Sequence, residues 1–286
     1  MPASTFALIQ YSCSDDPETN QQKAEEMIRE AAENGANAVF LPELFNTTYF
    51  CREFDQTFFD WAETIPGPVT ERFSKLAENL GVVIVLPMFE KEAPGIYFNT
   101  TVVFEKDGRL LGKYRKMHIP DDPGFYEKYY FTPGDLGYHV FKTSAGNIGT
   151  LICWDQWFPE AARLTAMNGA DMLSYPTAIG TLKDEGDSDK KRFKDAWLTV
   201  QRGHAIANGC FVAGINRVGM EGGTTFWGSS FLCGPFGEMI DEAGESEEIL
   251  YVRPDFQSIE KQRQTWPFFR DRRIDSYDKL KSRFDR

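Results

Sequence analysis

Three residues have the types and settings for nucleophilic acyl chemistry. Cys153 ends an apolar run in "GNIGTLICWDQWFPEAARL" (146–164), where Ile148 to Ile152 read as a buried strand and the chain passes straight into a helix. Strand ends in α/β sheets open into a crevice, and a helix N-terminus lowers a thiol pKa and offers backbone N–H donors. A cysteine there is a candidate nucleophile, although the ordinary fate of cysteine is that of a small buried hydrophobe. Glu43, in "FLPELF", follows a buried run and Pro42. With leucine and phenylalanine around it, it is either an edge residue reaching water or a carboxyl in an apolar pocket. In a pocket its pKa rises towards neutrality, which suits a general base. Lys116, in "GKYRKMHIP", lies where a hairpin strand should end; taken alone it reads as a solvated charge. A free thiol of pKa about 8.5 is only a few per cent thiolate at neutral pH, so a carboxylate able to take its proton during attack removes the need for a standing ion pair. His118 shares a strand face with Lys116 and raises a Cys–His protease as a rival, but the order of the segments does not suit one.

The elements that must position these residues recur along the chain. "AAENGANAVFLPE" (31–43), "LAENLGVVIVLP" (76–87), "LTAMNGADMLSYP" (164–176) and "HAIANGCFVAGIN" (204–216) each read as a helix end, a glycine cap and a short buried strand. The first three strands are expected to stop at Pro42, Pro87 and Pro176. Hairpin signals lie between the copies, at Asp107-Gly108 and at Gly146-Asn147. The plan is written twice, over roughly 5–116 and 138–252. It predicts a four-layer α-β-β-α sandwich with internal pseudo-symmetry, two mixed sheets face to face and helices on both outer faces. Residues 1–260 are expected to form one domain. Residues 261–286, aromatic and basic without a clean period, are expected to form an arm at a subunit interface.

Composition narrows the class. The 286 residues are 42% hydrophobic and 26% charged, ordinary for a soluble globular protein. No run approaches the roughly 18 apolar residues of a membrane helix. "MPASTFALIQYS" has no basic region ahead of an apolar one, so no secretory signal is expected. The five cysteines (Cys13, Cys51, Cys153, Cys210, Cys233) are odd in number and scattered, which argues for a reducing, cytoplasmic setting rather than a disulfide framework. No metal-ligand spacing is present. The formal charge of −12 disfavours nucleic acid and is compatible with a cationic substrate.

Taken together, "FLPELF", "YRKMHIP", "GTLICWDQWFPE", "RGHAIANG" and the repeats resemble the nitrilase superfamily of carbon–nitrogen hydrolases over nearly the whole chain. The resemblance implies Glu43 as general base, Lys116 as oxyanion stabiliser and Cys153 as nucleophile. It implies a second glutamate, Glu127 in "PGFYEKYYFTPGD", that positions Lys116 and the substrate, and no metal or organic cofactor. The stretch "KMHIPDDPGFYEKYYFTPGD" is similar to the branch that hydrolyses N-carbamoylputrescine, so the implied partner is a small carbamoyl amine. Its distal ammonium needs a carboxylate or an aromatic face. Asp187 and Asp189, in the acidic loop 184–189, are candidates for the first. Tyr49 and Trp154 are candidate walls for the aliphatic stem. An N-carbamoyl amino acid such as carbamoyl-β-alanine would instead want an arginine fork, for which Arg52 and Arg202 are nearest. Nitrile hydrolysis by the same residues, and a catalytically silent binding protein of the same fold, are the remaining alternatives. The resemblance also implies a homodimer or higher homo-oligomer, paired through the helix "FPEAARLTAMNGA" with the arm lying over the partner.

Overall fold

The computed structural model describes residues 4–284. The chain lays down β1 (Phe6–Gln10), α1 (Pro17–Glu33), β2 (Ala38–Phe40), α2 (Pro68–Leu80), β3 (Val83–Ala93), β4 (Ile96–Phe104) and β5 (Leu110–Arg115). It then forms β6 (Val140–Thr143), β7 (Gly146–Thr150), α3 (Pro159–Met167), β8 (Met172–Pro176), β9 (Gly180–Leu182), α4 (Asp187–Asn208) and β10 (Phe211–Ile215). It ends with β11 (Val218–Glu221), β12 (Thr224–Trp227), β13 (Phe231–Cys233), β14 (Met239–Glu242), β15 (Glu248–Val252) and α5 (Gln257–Thr265).

Two six-stranded sheets result, in the orders β15-β1-β2-β3-β4-β5 and β14-β13-β10-β8-β7-β6. Read from the β7 side, β7-β8-β10-β13-β14 repeats β1-β2-β3-β4-β5, and each series carries one extra antiparallel strand on its first member, β15 or β6. This is the expected pseudo-symmetry. β15 modifies the expected halves, since it leaves the second to complete the first sheet. A third, small sheet, β11-β12-β9, stands outside both series.

Alternation along the strands assigns each face to a layer. Phe6, Leu8, Phe40, Val83 and Val85 share a core with Ile148, Met172 and Phe211 of the other sheet. The intervening Ala7, Ile9, Val39, Ile84 and Leu86 pack under α1 and α2 through Ala24, Ile28, Phe73 and Leu76. Helices α3 and α4 seal the outer face of the second sheet with Ala162, Ala166, Trp197 and Ala205. Gly81 and Gly209 end α2 and α4 at φ 66° and 54°, the left-handed caps that the repeated motif implies. Among the described residues no helix is long and apolar enough to cross a membrane.

Three local expectations fail for identifiable reasons. β3 does not stop at Pro87; it runs on to Ala93, with Pro87 opposite Thr101 of β4. Beyond Phe40 β2 has ended, and the Pro87 carbonyl on that side accepts the Phe45 N–H at 3.1 Å. An N–H at residue 87 would point the same way, to the chain just past the end of β2, where β3 is no longer a central strand and proline is tolerated. The second hairpin turns at Ser144-Ala145, because Thr143 already pairs with Gly146 and Asn147 lies inside β7. Finally, strand does not pass straight into helix at Cys153. A 3-10 turn, Cys153–Trp157, intervenes before α3. The boundary expected after residue 260 falls within α5.

Candidate active site

The site lies where strands of both sheets end. Glu43 opens a buried turn just beyond β2. Lys116 follows β5 directly and still pairs its N–H with the Asn99 carbonyl of β4 at 2.9 Å. Cys153 begins the turn after β7, at φ +39°, a left-handed conformation rare for a non-glycine residue and one that clusters at functional sites. Glu127 arrives on a short turn, Glu127–Tyr129, anchored by an aromatic cluster that includes Phe50, Phe89, Tyr130 and Phe131.

The three charged groups converge. Lys116 Nζ donates to Glu43 Oε1 at 2.7 Å and to Glu127 Oε1 and Oε2 at 2.8 and 2.6 Å. All three side chains are fully buried. Asn99 Nδ2 donates to Glu43 Oε1 at 2.8 Å, and Tyr49 Oη donates to Glu127 Oε1 at 2.8 Å. Glu43 Oε2 has no hydrogen-bond partner among the described residues. One carboxylate oxygen is thus committed to orientation and the other is free to take a proton.

The electrostatics follow from burial. Desolvation works against the Lys116 ammonium, but the carboxylates of Glu127 and Glu43 outweigh it and hold its pKa well above the ordinary value. Glu127 is pushed up to about 7, chiefly by desolvation; Lys116 opposes this, and Glu43, sharing the same ammonium, adds to it. Burial first, and then the Glu43 carboxylate, raise the Cys153 thiol well above its usual range. The lowering expected from a helix N-terminus does not materialise. The helix starts six residues later, and a buried carboxylate lies closer.

A cavity of about 480 Å³ has Cys153 and Glu127 among its lining residues. Pro120, Phe125, Trp157, Leu182 and Trp227 are among its walls, and its acidic lining residues besides Glu127 are Asp122 and Glu185. Trp154, one of the two candidate walls, lines it. Tyr49 does not; it is buried behind Glu127 and serves as a hydrogen-bond donor. Asp187 and Asp189 also lie off the cavity, in the first turn of α4, with Asp189 paired to Arg192 at 3.1 Å. The acidic loop reaches the cavity through Glu185 instead, because Glu185 folds back to accept the Leu182 N–H at 2.7 Å. Arg52 and Arg202 are turned to the backbone carbonyls of Tyr49 and Gly237 and do not line the cavity.

Sequence reasoning missed Asp155. It is fully buried and accepts from Tyr114 Oη (2.7 Å), Ile152 N (3.0 Å) and His118 N (3.0 Å), with His118 Nδ1 at 2.7 Å. It therefore ties the Cys153 turn to β5 and to the segment carrying Lys116. His118, the residue that raised a protease alternative, is bound to Asp155 and stacks on Phe158 at 3.8 Å.

A sandwich of this topology with a buried Glu–Lys–Glu cluster beside a strained cysteine defines a class, the hydrolases of carbon–nitrogen bonds. The chain belongs to the carbon–nitrogen hydrolase family, whose model it matches over residues 5–264. It is 45% identical to the N-carbamoylputrescine amidase of Solanum lycopersicum, an alignment covering 96% of this chain and 94% of that one. It is 41% identical to the citrullinase of Francisella tularensis, covering 96% of each. A carbon–nitrogen hydrolase from Helicobacter pylori G27 superposes with a TM-score of 0.96 at 46% identity, over 99% of this chain and 100% of that one.

Proposed function

We propose that this amidohydrolase cleaves N-carbamoylputrescine, releasing putrescine, carbon dioxide and ammonia, and so serves polyamine synthesis. The observation that carries this reading is the lining of the cavity. Beyond Cys153 and Glu127 it is largely apolar and aromatic, its further acidic groups are Asp122 and Glu185, and no lysine or arginine among the described residues lines it. A four-carbon stem with a terminal ammonium suits that lining. The α-carboxylate of citrulline, or the carboxylate of carbamoyl-β-alanine, would face two acids with no cation to meet it.

In this reading Cys153 Sγ attacks the ureido carbon while Glu43 Oε2 takes the thiol proton. Lys116 and the Trp154 backbone N–H stabilise the oxygen that becomes negative, each such donor being worth about 2.7–4 kcal/mol in the transition state. Glu43 returns the proton to the departing ammonia, leaving an N-alkylcarbamoyl thioester on Cys153. It then activates water, and the freed carbamic acid decomposes to carbon dioxide and amine. Glu127 keeps Lys116 in place. Further parts of the proposal are a cytoplasmic enzyme, one catalytic domain, and a homodimer formed on α3 with the C-terminal arm across it.

The test is ammonia release from N-carbamoylputrescine, N-carbamoylbutylamine, citrulline and N-carbamoyl-β-alanine. Asp122→Asn and Glu185→Gln should raise KM for N-carbamoylputrescine about 10- to 100-fold, the loss of a charged contact worth about 1.5–3 kcal/mol. They should leave KM for N-carbamoylbutylamine unchanged, and kcat should move less than KM. A wild-type preference for citrulline or N-carbamoyl-β-alanine, or a normal KM in both variants, would sink the amine reading.

A further inference from the structure

The turn that carries Glu43 is a buried segment with no sheet partner for most of its carbonyls, and every one of those carbonyls must still find a donor. Tyr11 Oη caps the Phe45 carbonyl at 2.6 Å and Asn20 Nδ2 caps that of Asn46 at 3.1 Å. The Leu44 carbonyl accepts the Thr47 N–H at 3.1 Å, and it and the remaining carbonyls are also met by one side chain distant in sequence. Arg217 Nη2 donates to the carbonyls of Glu43 (2.6 Å) and Leu44 (3.1 Å), and Nη1 donates to that of Thr47 (3.1 Å). Between the two carbonyls that share this nitrogen, Leu44 sits at φ +51°, a conformation unfavourable for leucine. Arg217 is fully buried, and its charge is balanced by Glu221 at 3.0 Å, itself buried. Glu221 Oε2 also accepts the Tyr49 N–H at 2.5 Å. Tyr49 in turn donates to Glu127. The Arg217–Glu221 pair thus grips the backbone of Glu43 and the backbone of the residue that orients Glu127.

We infer that Arg217 is a positioning residue for the general base. It touches no reacting atom. It fixes the main chain of Glu43 so that Oε2 is aimed at the Cys153 thiol. The inference rests on the reading of Glu43 as base. The guanidinium is suited to this because its planar fork reaches three carbonyls at once, whereas a lysine ammonium is a point donor on a flexible stem.

The experiment compares Arg217→Lys, Tyr11→Phe and Glu43→Gln with wild type in three assays: thermal melting, kcat and KM for N-carbamoylputrescine, and inactivation by iodoacetamide at neutral pH with Cys153 labelling followed by mass spectrometry. Arg217→Lys should lower kcat and the Cys153 labelling rate together by about tenfold or more, the cost of a small misplacement of a catalytic group, while KM changes far less. Tyr11→Phe loosens the same turn without freeing the Glu43 carbonyl. It should melt lower yet keep kcat. If Arg217→Lys does not fold, Arg217→Met/Glu221→Gln removes both buried charges and keeps an acceptor for the Tyr49 N–H, and it should show the same paired loss. A variant that melts lower but keeps kcat and labelling, or raises KM alone, makes Arg217 merely structural and overturns the inference. If Glu43→Gln itself keeps turnover and labelling, the base assignment fails first. If only Glu43→Gln is impaired, the base stands and the clamp falls.

Discussion

Cys153 holds its proton in the resting protein. Its sulfur is buried, which penalises the thiolate most, and the Glu43 carboxylate penalises it further while Lys116 opposes both. The thiol is therefore not activated in advance, and in the proposed mechanism its proton leaves during attack, with Glu43 as the acceptor. Two outcomes follow at this scale. Cys153→Ser should fold as wild type and retain less than a tenth of its activity, since a hydroxyl is a far poorer match for a carboxylate base; more activity than that in the ammonia assay refutes the nucleophile. In Glu43→Gln the base is gone and the carboxylate's penalty on the thiolate is lifted, but burial, the larger cause, remains. Labelling of Cys153 should then climb with pH and show no plateau below about 8.5, the ordinary thiol value. A plateau near neutrality would mean a preformed thiolate, and the proton inventory given above would be wrong.

The ends of β2, β5 and β7 bring residues 43, 116 and 153 together, and the fixtures at those ends are what hold them. Gly134 illustrates how tightly. Its N–H donates to the Lys116 carbonyl at 2.8 Å, and a Cβ on it would lie 2.1 Å from the Arg115 carbonyl oxygen. Gly134→Ala must push the Lys116 segment away. It should cost about 1–3 kcal/mol in urea unfolding, as overpacking does, and should lower kcat besides. Wild-type values for both would show that this contact does not set Lys116. Glu43 and Cys153 were legible in the sequence because each ends a strand pattern bounded by glycine or proline with a residue type unusual for its surroundings, whereas Lys116 alone read as a solvated charge and joined them only through the family resemblance. Asn99, Arg217 and Asp122 were not legible. They meet the site through strand register or loop folding across the chain, and nothing local marks them. Tyr49 was singled out but given the wrong task, since sequence could place an aromatic near the site without saying which side of Glu127 it occupies. Pro87 misled for a related reason: whether a proline ends a strand depends on whether the neighbour on its N–H side is still present.

At the scale of the molecule, the outer face of α3 is only partly covered. Leu164 and Met167 are 44% and 49% exposed. The chain beyond α5 lies against this face: Arg163 and Arg263 each stack on Phe269, at 4.9 and 5.0 Å, and Arg272 reaches the Met167 sulfur at 3.0 Å. The arm nevertheless leaves Ile274 and Leu280 70% and 65% exposed. Apolar side chains gathered this way on one face suit a second copy, and a stable pairing needs about 800 Å² per subunit. The arm is expected to complete it. Since α3 follows the Cys153 turn after a single residue, loosening its outer face should also loosen the nucleophile. Deleting residues 266–286 keeps α5 whole and removes the arm. The shortened chain is expected to sediment as a monomer at micromolar concentration and to lose most of its kcat, with KM changed less, because the cavity walls come from other elements. A fully active monomer, whether shortened or intact, would show that each subunit completes its own site and that the exposed face serves another purpose.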